Sequence, residues 1–282
     1  MRSFVIALHL LFASSLYAQT TNEQIADSIV NTFENALSDL PQSKQEHFSL
    51  RMYRLTGDIK YVPYVQNVAD KWVKQITAIT PFINNPLIIH SYLDNLKSRQ
   101  GNTYKETLRR ESLESRPHAV FYALAVVYPL YKLQDFEIEI AQKERLVEIL
   151  KNFDFEKELL QPDMIRAWSA QLVNWVYWLY QLNIVDLRAK LALAFSETFP
   201  MDGSLQGEGF LNQLYGITHF VLAASYYYQT YLPRNDFQWV IDFIELNQTK
   251  ILAINNPDIA AEVGVSLLLL GDVNNPIVEA CR

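Results

Sequence analysis

The sequence predicts an all-α protein, and three features of the chain support this fold class. Only 8 of its 282 residues are glycine, and 50% of its residues are hydrophobic. Apolar side chains also recur three and four positions apart through most of its length, which places them on one face of an α-helix. A chain of this length and hydrophobicity can bury a sizeable core.

In chain order, the apolar repeats predict twelve helical segments separated by short stretches of turn-forming residues. Neighbouring segments pair into six helical hairpins. The segment 103–111 is the shortest and is strongly charged. The twelve segments are 22–39, 44–55, 60–78, 86–97, 103–111, 117–132, 137–151, 163–181, 186–198, 210–230, 236–248 and 257–270.

The two members of each pair differ in character. First members such as 137–151 have one apolar and one charged face, which is typical of helices that touch solvent. Second members such as 163–181 and 210–230 are apolar or aromatic on nearly every side, so they must be enclosed. This alternation predicts a two-layer helical array. We expect the inner layer to consist of the segments that begin near residues 44, 86, 117, 163, 210 and 257.

Glycine follows the second and twelfth segments at similar positions, in LTGDI (55–59) and LGDV (270–273). With six pairs and two layers, the chain resembles the α/α-toroid, or six-hairpin, superfamily, and the resemblance covers residues 19–282 as a single domain. The string MYRLTGDIKYVPYVQNVADKWV is similar to a helix-turn-helix of carbohydrate-active members. The chain also resembles bacterial secreted helical domains with a Gly-x-Thr-His segment, here Gly216 to His219. An open helical-repeat solenoid is the alternative architecture.

The toroid resemblance implies a cleft at one mouth of the barrel, built from the starts of inner helices and the loops that enter them. The richest stretch of this kind, residues 199–219, holds four of the eight glycines together with Asp202, Glu208, Tyr215 and His219. Glycine permits tight and left-handed turns, and loops commonly carry functional residues. We therefore expect these four side chains to be the catalytic groups of a site at this mouth.

Two chemistries fit these groups. In a glycoside hydrolase, Asp202 and Glu208 would act as the acid and its carboxylate partner. In a polysaccharide lyase, Tyr215 or His219 would remove a proton next to a uronate carboxylate, while another side chain neutralises the developing charge. The structural alternative stays open, since Asp202 before Gly203 also fits a turn and Glu208 also fits a helix start.

Four further residues are expected to bind substrate at the same mouth. Arg166 and Asn174 are the candidates for charge neutralisation in the lyase. Trp168, near the start of its segment, would stack on a sugar ring, although large aromatic residues also fill helical cores. His118 begins an inner segment, as His47 and His90 do, so alternate helices would bring these imidazoles and His219 to one rim.

The sequence lacks the patterns of several other function classes. No pair of histidines stands one helical turn apart, so we expect no metal site, and no phosphate-binding or dinucleotide glycine motif indicates a cofactor. Cys281 is the only cysteine, so no internal disulfide can form. The net charge of −7, with Lys and Arg interspersed among acids, argues against nucleic-acid binding.

The first eighteen residues predict a signal peptide. They contain Arg2, an apolar run and a Leu-Tyr-Ala ending before Gln19. The apolar run is shorter than the ~20 residues of a membrane span. We therefore expect a periplasmic or secreted bacterial protein that recognises or processes a carbohydrate or polysaccharide. The alternative is a non-enzymatic periplasmic helical-repeat binding or scaffold protein with a protein partner.

Overall fold

The computed structural model describes residues 22–280, and these residues are helical apart from short connections. No β-strand occurs within this range, so the predicted all-α class is confirmed. The predicted signal peptide, residues 1–18, and Cys281 lie outside the described residues. Across residues 22–280, no helix combines the length and hydrophobicity that crossing a membrane requires.

Sixteen α-helices follow one another within residues 22–280, joined by turns and short 3-10 segments. The predicted segments match most of them closely, apart from three short additional helices at Phe155–Leu159, Gln248–Leu252 and Pro276–Ala280. The helix predicted at 137–151 begins only at Lys143. The helices are α1 Asn22–Asn35, α2 Gln42–Thr56, α3 Val62–Ile79, α4 Pro86–Lys97, α5 Tyr104–Ser115, α6 Pro117–Phe121, α7 Tyr128–Asp135, α8 Lys143–Lys151, α9 Phe155–Leu159, α10 Pro162–Gln181, α11 Arg188–Thr198, α12 Gly207–Ala224, α13 Gln238–Leu246, α14 Gln248–Leu252, α15 Pro257–Leu269 and α16 Pro276–Ala280.

The chain divides into two compact units at Val68, inside helix α3. The first unit has a small aromatic cluster. Phe33 stacks on Phe48 with ring centroids 5.7 Å apart, and Phe48 meets Tyr61 edge-on at 6.1 Å. The Tyr61 hydroxyl donates to the carboxylate of Glu34, which also pairs with Lys60 at 2.9 Å. This polar contact ties the two ends of the aromatic cluster together.

Helix α10 is the centre of the second unit. It packs against α5, α11 and α12, and α12 packs in turn against α15. Nearly all side chains of α10 after Arg166 are buried, whereas α8 buries only Leu146 and Leu150. The expectation that segments 163–181 and 210–230 are more buried than 137–151 is therefore confirmed. Helix α5, predicted in the outer layer, packs on α10 and buries only Ser112 and Leu113.

The predicted layers are wrong for the two N-terminal pairs. Helix α2 fully buries only Ser49, and α4 only Ile89 and Leu93. Helix α3, expected on the outside, buries more large apolar side chains, including Trp72 and Ile76. The cause is composition, because α2 carries basic and polar residues around most of its circumference and cannot be enclosed without leaving charges unpaired.

A π-helical segment, Tyr122–Val127, joins α6 to α7 in one continuous helix. Pro129 explains the departure from α-helical geometry, since proline has no N–H to donate to the carbonyl four residues earlier. That carbonyl belongs to Ala125, and it accepts a hydrogen bond of 2.9 Å from the side-chain amide of Gln75. The side chain on α3 thus replaces the backbone donor that Pro129 removes.

Helix α12 ends at Ala224, earlier than the predicted 210–230. Three consecutive tyrosines follow Ser225 in the left-handed region, with φ of 53° at Tyr226, 54° at Tyr227 and 74° at Tyr228. The Tyr227 N–H donates to the Leu222 carbonyl, and the Ser225 hydroxyl accepts from the Tyr228 N–H at 3.1 Å. Bulky residues rarely adopt this conformation, so the turn is strained.

Candidate functional site

Helix α10 is kinked at Trp168, whose φ of −122° and ψ of 16° are not helical. Two carbonyls next to the kink bind side chains from neighbouring helices. The Arg166 carbonyl accepts from Nδ2 of Asn212 at 2.7 Å, and the Ala167 carbonyl accepts from Nε of Arg109 at 3.3 Å. A side chain that inserts into the backbone hydrogen bonds of a helix is a recognised cause of kinks. Helices α5 and α12 therefore meet α10 at this point.

Trp168 is buried at the kink and is 4% exposed. Its indole N–H donates to the hydroxyl of Ser112 at 2.7 Å. The guanidinium of Arg109 lies over the ring, 4.7 Å from the centroid. The predicted sugar-stacking face is thus already covered by a cation, and Trp168 acts here as a support for Arg109.

Lys105 and Arg109 stand one turn apart on α5 and point to the same region. No salt bridge joins either of them to a carboxylate among residues 22–280. Burial, with the nearby Arg109, lowers the pKa of Lys105 to about 8, although Glu262 opposes the shift. Burial also lowers the pKa of Arg109, whose Nη2 is enclosed without a hydrogen-bond acceptor. Both cations are half-buried, and Glu262 and Glu106 act on them from beyond salt-bridge distance.

Tyr215 lies beside these cations, with its ring centroid 5.5 Å from Nζ of Lys105. Its hydroxyl donates to Asp258 at 2.9 Å and accepts from Nδ2 of Asn256 at 3.4 Å. Burial, followed by the hydrogen bond to Asp258, raises the pKa of Tyr215 to about 12. The hydroxyl therefore keeps its proton at neutral pH.

His219 lies one turn further along α12 and is held from both sides. Its Nδ1 is 3.0 Å from Oδ1 of Asn174, and because an amide oxygen only accepts, this contact places the proton on Nδ1. Its Nε2 is 3.7 Å from Oε1 of Glu262, and the two side chains are 15% and 19% exposed. The other Glu262 oxygen accepts from the Thr218 hydroxyl at 2.7 Å. Asn174 and Glu262 thus fix the orientation of the imidazole, with Nε2 directed toward Glu262.

Together these side chains form what we call the Lys105–His219 cluster. It combines two cations with two proton-transfer groups and a carboxylate, all partly or largely buried. Such a set can bind an anionic group and move protons beside it. The members of the cluster are Lys105, Arg109, Asn174, Tyr215, His219 and Glu262.

The two predicted acids lie elsewhere. Asp202 is exposed, and its carboxylate accepts the Ser204 N–H at 2.9 Å, an interaction that lowers its pKa. Glu208 is exposed in the first turn of α12. Within residues 22–280, no hydrogen bond or salt bridge joins either acid to the cluster. Nζ of Lys250 binds the Gly203 carbonyl at 2.7 Å, so this loop is held as a structural turn.

The remaining predicted residues lie outside the Lys105–His219 cluster. Arg166 is exposed, and its backbone rather than its side chain takes part in the kink. His118 is exposed and packs on Tyr122, while His90 pairs with Asp94 at 3.2 Å. His47 is exposed in the first unit. His219 is therefore the histidine of the cluster, and within residues 22–280 no three His, Cys, Asp or Glu side chains are grouped to hold a metal ion.

Sequence reasoning missed Lys105, Arg109, Asp258 and Glu262, although signals for them were present. The two cations stand four residues apart on a segment we regarded only as charged. The two acids stand four residues apart in DIAAEVGVSLLLL, an otherwise apolar segment. Acids on an enclosed helix are rare unless they are paired, which marks them as candidates for a site.

Comparison with known families gives a match that covers nearly the whole chain. Residues 22–282 match the family described as Domain of unknown function (DUF3541). The chain belongs to this family. No curated protein and no solved structure matches it. For a DUF3541 domain, the arrangement of its own side chains is thus the basis for assigning a function.

Proposed function

We propose that this DUF3541 protein binds an acidic polysaccharide at the Lys105–His219 cluster and cleaves it in a lyase-like β-elimination. The observation that carries the proposal is the pair of half-buried cations beside Tyr215 and His219. Neither Lys105 nor Arg109 has a carboxylate partner among residues 22–280. A bound uronate carboxylate would supply the missing negative charge.

The proposed reaction assigns one step to each part of the cluster. Lys105 and Arg109 bind the uronate carboxylate and stabilise the charge that develops on it. Nε2 of His219 takes the proton from the carbon next to that carboxylate, and Glu262 stabilises the imidazolium. The electron pair forms a carbon–carbon double bond, the neighbouring carbon–oxygen bond breaks, and Tyr215 donates a proton to the leaving oxygen. Tyr215 is protonated at neutral pH and therefore has a proton to donate.

The hydrolase-like alternative has less support. It assigns the chemistry to Asp202 and Glu208, and both are exposed on the loop and first turn before the buried part of α12. Asp202 is also engaged by its own turn. Such a site lacks the enclosed acid that glycoside hydrolysis requires.

The proposal also extends to architecture and location. We place the cluster at one mouth of an α/α-toroid-like array, with α5 lying against the starts of α10 and α12. We further propose that removal of residues 1–18 delivers the protein to the periplasm or the exterior, where it would meet extracellular polysaccharide. Mass spectrometry of the exported protein would test this, since an intact Met1 terminus contradicts it.

The decisive experiment is a cleavage assay with uronate-containing polysaccharides such as pectate, alginate and glucuronate polymers. The new double bond is conjugated with the carboxylate, so elimination is followed by ultraviolet absorbance. We expect His219→Ala and Tyr215→Phe to abolish the signal, and Lys105→Met to raise KM more than it lowers kcat. The exposed variant Glu208→Gln serves as the control and should retain activity.

The other possible outcomes of the cleavage assay would each support a different function or contradict the proposal. New reducing ends without a double bond, lost in Glu208→Gln, would identify a hydrolase. Saturable binding of the polymer without cleavage, lost in Lys105→Met, would identify a non-enzymatic binding protein. Absence of both binding and cleavage across the polymers would contradict the proposal.

A further inference from the structure

Two adjoining pockets lie at the C-terminal ends of α10 and α12, away from the kink at Trp168. Their volumes are about 310 and 400 Å³, within the range of roughly 300–1,000 Å³ that is usual for small-molecule sites. Both are lined by Tyr180, Gln181 and Tyr226, so these residues form a shared wall. We call the two pockets the tyrosine groove, after the five tyrosines that line it together with Phe237: Tyr131, Tyr177, Tyr180, Tyr226 and Tyr231.

The rings of the groove range from enclosed to fully accessible. Tyr231 is 79% exposed and Tyr226 is 44% exposed, whereas Tyr131 and Tyr177 are buried. Large exposed aromatic residues that share one concave surface indicate a binding site, because they bury apolar area at small entropic cost. The exposed rings offer faces on which a flat apolar surface, such as one side of a sugar ring, can stack.

The guanidinium that lines the groove is paired, in contrast with the cations of the Lys105–His219 cluster, and the groove is also lined by the carboxylates of Asp135 and Asp236. The guanidinium of Arg188 stacks on Tyr180, 3.3 Å from the ring centroid. It also binds Asp186 in a bidentate pair, with N–O distances of 2.9 and 2.8 Å. The remaining polar lining includes the amides of Gln134, Gln181 and Asn183. Amides beside aromatic rings suit hydroxyl groups better than ionised groups.

The backbone of the groove is strained where Tyr226 enters it. Tyr226, Tyr227 and Tyr228 all have positive φ, a conformation that is unfavourable for bulky residues. Strain of this kind is concentrated at sites of binding and catalysis. A glycine or asparagine would meet the backbone requirement at lower cost, so the side chain of Tyr226 has a use that the turn itself does not explain.

We infer that the tyrosine groove is a second ligand site, which binds a neutral oligosaccharide by stacking on Tyr226 and Tyr231 with hydrogen bonds to Gln181 and its neighbours. The inference rests on the proposed function only for the class of ligand, a glycan. The cluster binds the acidic unit where the bond is cleaved, and the groove binds neutral units of the same or another chain.

The test is titration of the full-length exported protein with neutral hexasaccharides of glucose, mannose and xylose, followed by tyrosine and tryptophan fluorescence and by calorimetry. We expect one of these series to saturate the wild-type protein. Tyr231→Ala should weaken that binding about fivefold, as expected for one lost aromatic contact. Tyr104→Ala removes a tyrosine of comparable exposure, 47%, outside the groove and should leave neutral-sugar affinity unchanged.

A second variant separates binding from folding. Tyr226→Gly relieves the positive φ while removing the ring, so we expect the melting temperature to stay the same or rise while neutral-sugar affinity falls about fivefold or more. A merely structural tyrosine would show the opposite pattern, with lower stability and unchanged binding.

Two results would overturn the inference. One is saturation by a proline-rich peptide with no binding of any neutral hexasaccharide, since aromatic grooves also accept polyproline helices. The other is wild-type affinity in both Tyr231→Ala and Tyr226→Gly. Neither result bears on the cluster, because uronate cleavage is measured separately. Loss of cleavage in His219→Ala with intact neutral-sugar binding supports both sites.

Discussion

The Lys105–His219 cluster and the tyrosine groove use the same two long helices in opposite ways. Around the middle of α10 and α12, ionisable groups are half-buried and two cations have no salt-bridge partner among the described residues. At the C-terminal ends of the same helices, Arg188 is paired with Asp186 and aromatic rings dominate. Tyr227 stands between them, since its ring contacts His219 and lies under Lys132. The difference indicates one region for charged ligands and another for neutral ones.

The largest loss of stability is expected at Gly216, where α12 packs closely on α10 and both regions depend on that contact. A Cβ at Gly216 would lie 2.3 Å from the Ser169 hydroxyl and 2.5 Å from the Phe195 ring. Gly216→Ala should therefore separate α12 from α10 and lower the free energy of unfolding by about 3 kcal/mol or more. Denaturant unfolding measures this loss, and binding at both regions should weaken together.

The matched control is Gly209→Ala on the same helix. A Cβ there has only ordinary contact, 4.0 Å from Leu205. Because glycine inside a helix is unfavourable relative to alanine, this variant should be equally stable or more stable. If Gly209→Ala were as damaging as Gly216→Ala, close helix approach would not be the reason for glycine at position 216.

A smaller effect, confined to the cluster, is expected for Asn174→Ala. The variant removes the acceptor of the Nδ1 proton of His219 and leaves that buried group unsatisfied. The free energy of unfolding should fall by about 1–2 kcal/mol. Uronate cleavage should be lost, while neutral-sugar affinity in the groove should not change. Asn152→Ala, at an exposed hydrogen bond to the Glu148 carbonyl, is the control and should change neither measurement.

The pH dependence of stability is a third test of the unpaired cations. The folded-state pKa of Lys105 is lowered to about 8, whereas an unfolded lysine titrates near ~10.4. Between these values the unfolded chain binds more protons, so stability should rise as pH increases from about 8 to 10. Below pH 8 both states are protonated, and the cost of burying the charge remains.

The measurement is the urea midpoint at several pH values. Lys105→Met should be more stable than wild type at pH 7, and its stability should not increase between pH 8 and 10. The exposed control Lys157→Met should show the same increase in stability as the wild-type protein. The interpretation applies up to pH 10, because the raised pKa of Tyr215, about 12, makes stability fall with pH beyond that point. A flat profile in the wild-type protein would show that Lys105 is not held as an unpaired cation.

The smallest effects are expected at the glycine-rich loop. Asp202→Asn and Glu208→Gln alter exposed carboxylates, so midpoints of unfolding and uronate cleavage should stay close to wild type. A large loss of activity in either variant would move the chemistry from the cluster to the loop and would favour the hydrolase.

The helices could be predicted from sequence because their apolar spacing is local information. The enclosed character of α10 also followed from its residues, since aromatic and aliphatic side chains cover every face. The cluster could be predicted only in part. Tyr215, His219 and Asn174 were identified, but sequence spacing does not show that α5 packs against α10, so Lys105 and Arg109 were missed.

Departures from regular helix geometry were the other features that we did not predict from the sequence. The kink at Trp168 depends on Asn212 and Arg109, which come from other helices. The left-handed turn at Tyr226–Tyr228 contradicts the preferences of its own residues, so tertiary contacts must hold it. Pro129, in contrast, is a visible signal of an interrupted helix and could have been used.

The π-helical segment before Pro129 affects where the chain can lose a residue without changing the packing of its neighbours. A π turn holds more residues than an α turn, so deleting one codon within Tyr122–Val127 would restore α-helical geometry. The residues on either side would keep nearly the same orientation relative to each other, because the wider turn already absorbs the extra residue. Tyr131 would therefore stay on the wall of the groove. A one-residue deletion elsewhere in the same continuous helix would instead rotate the flanking residues by about 100° and should be more damaging.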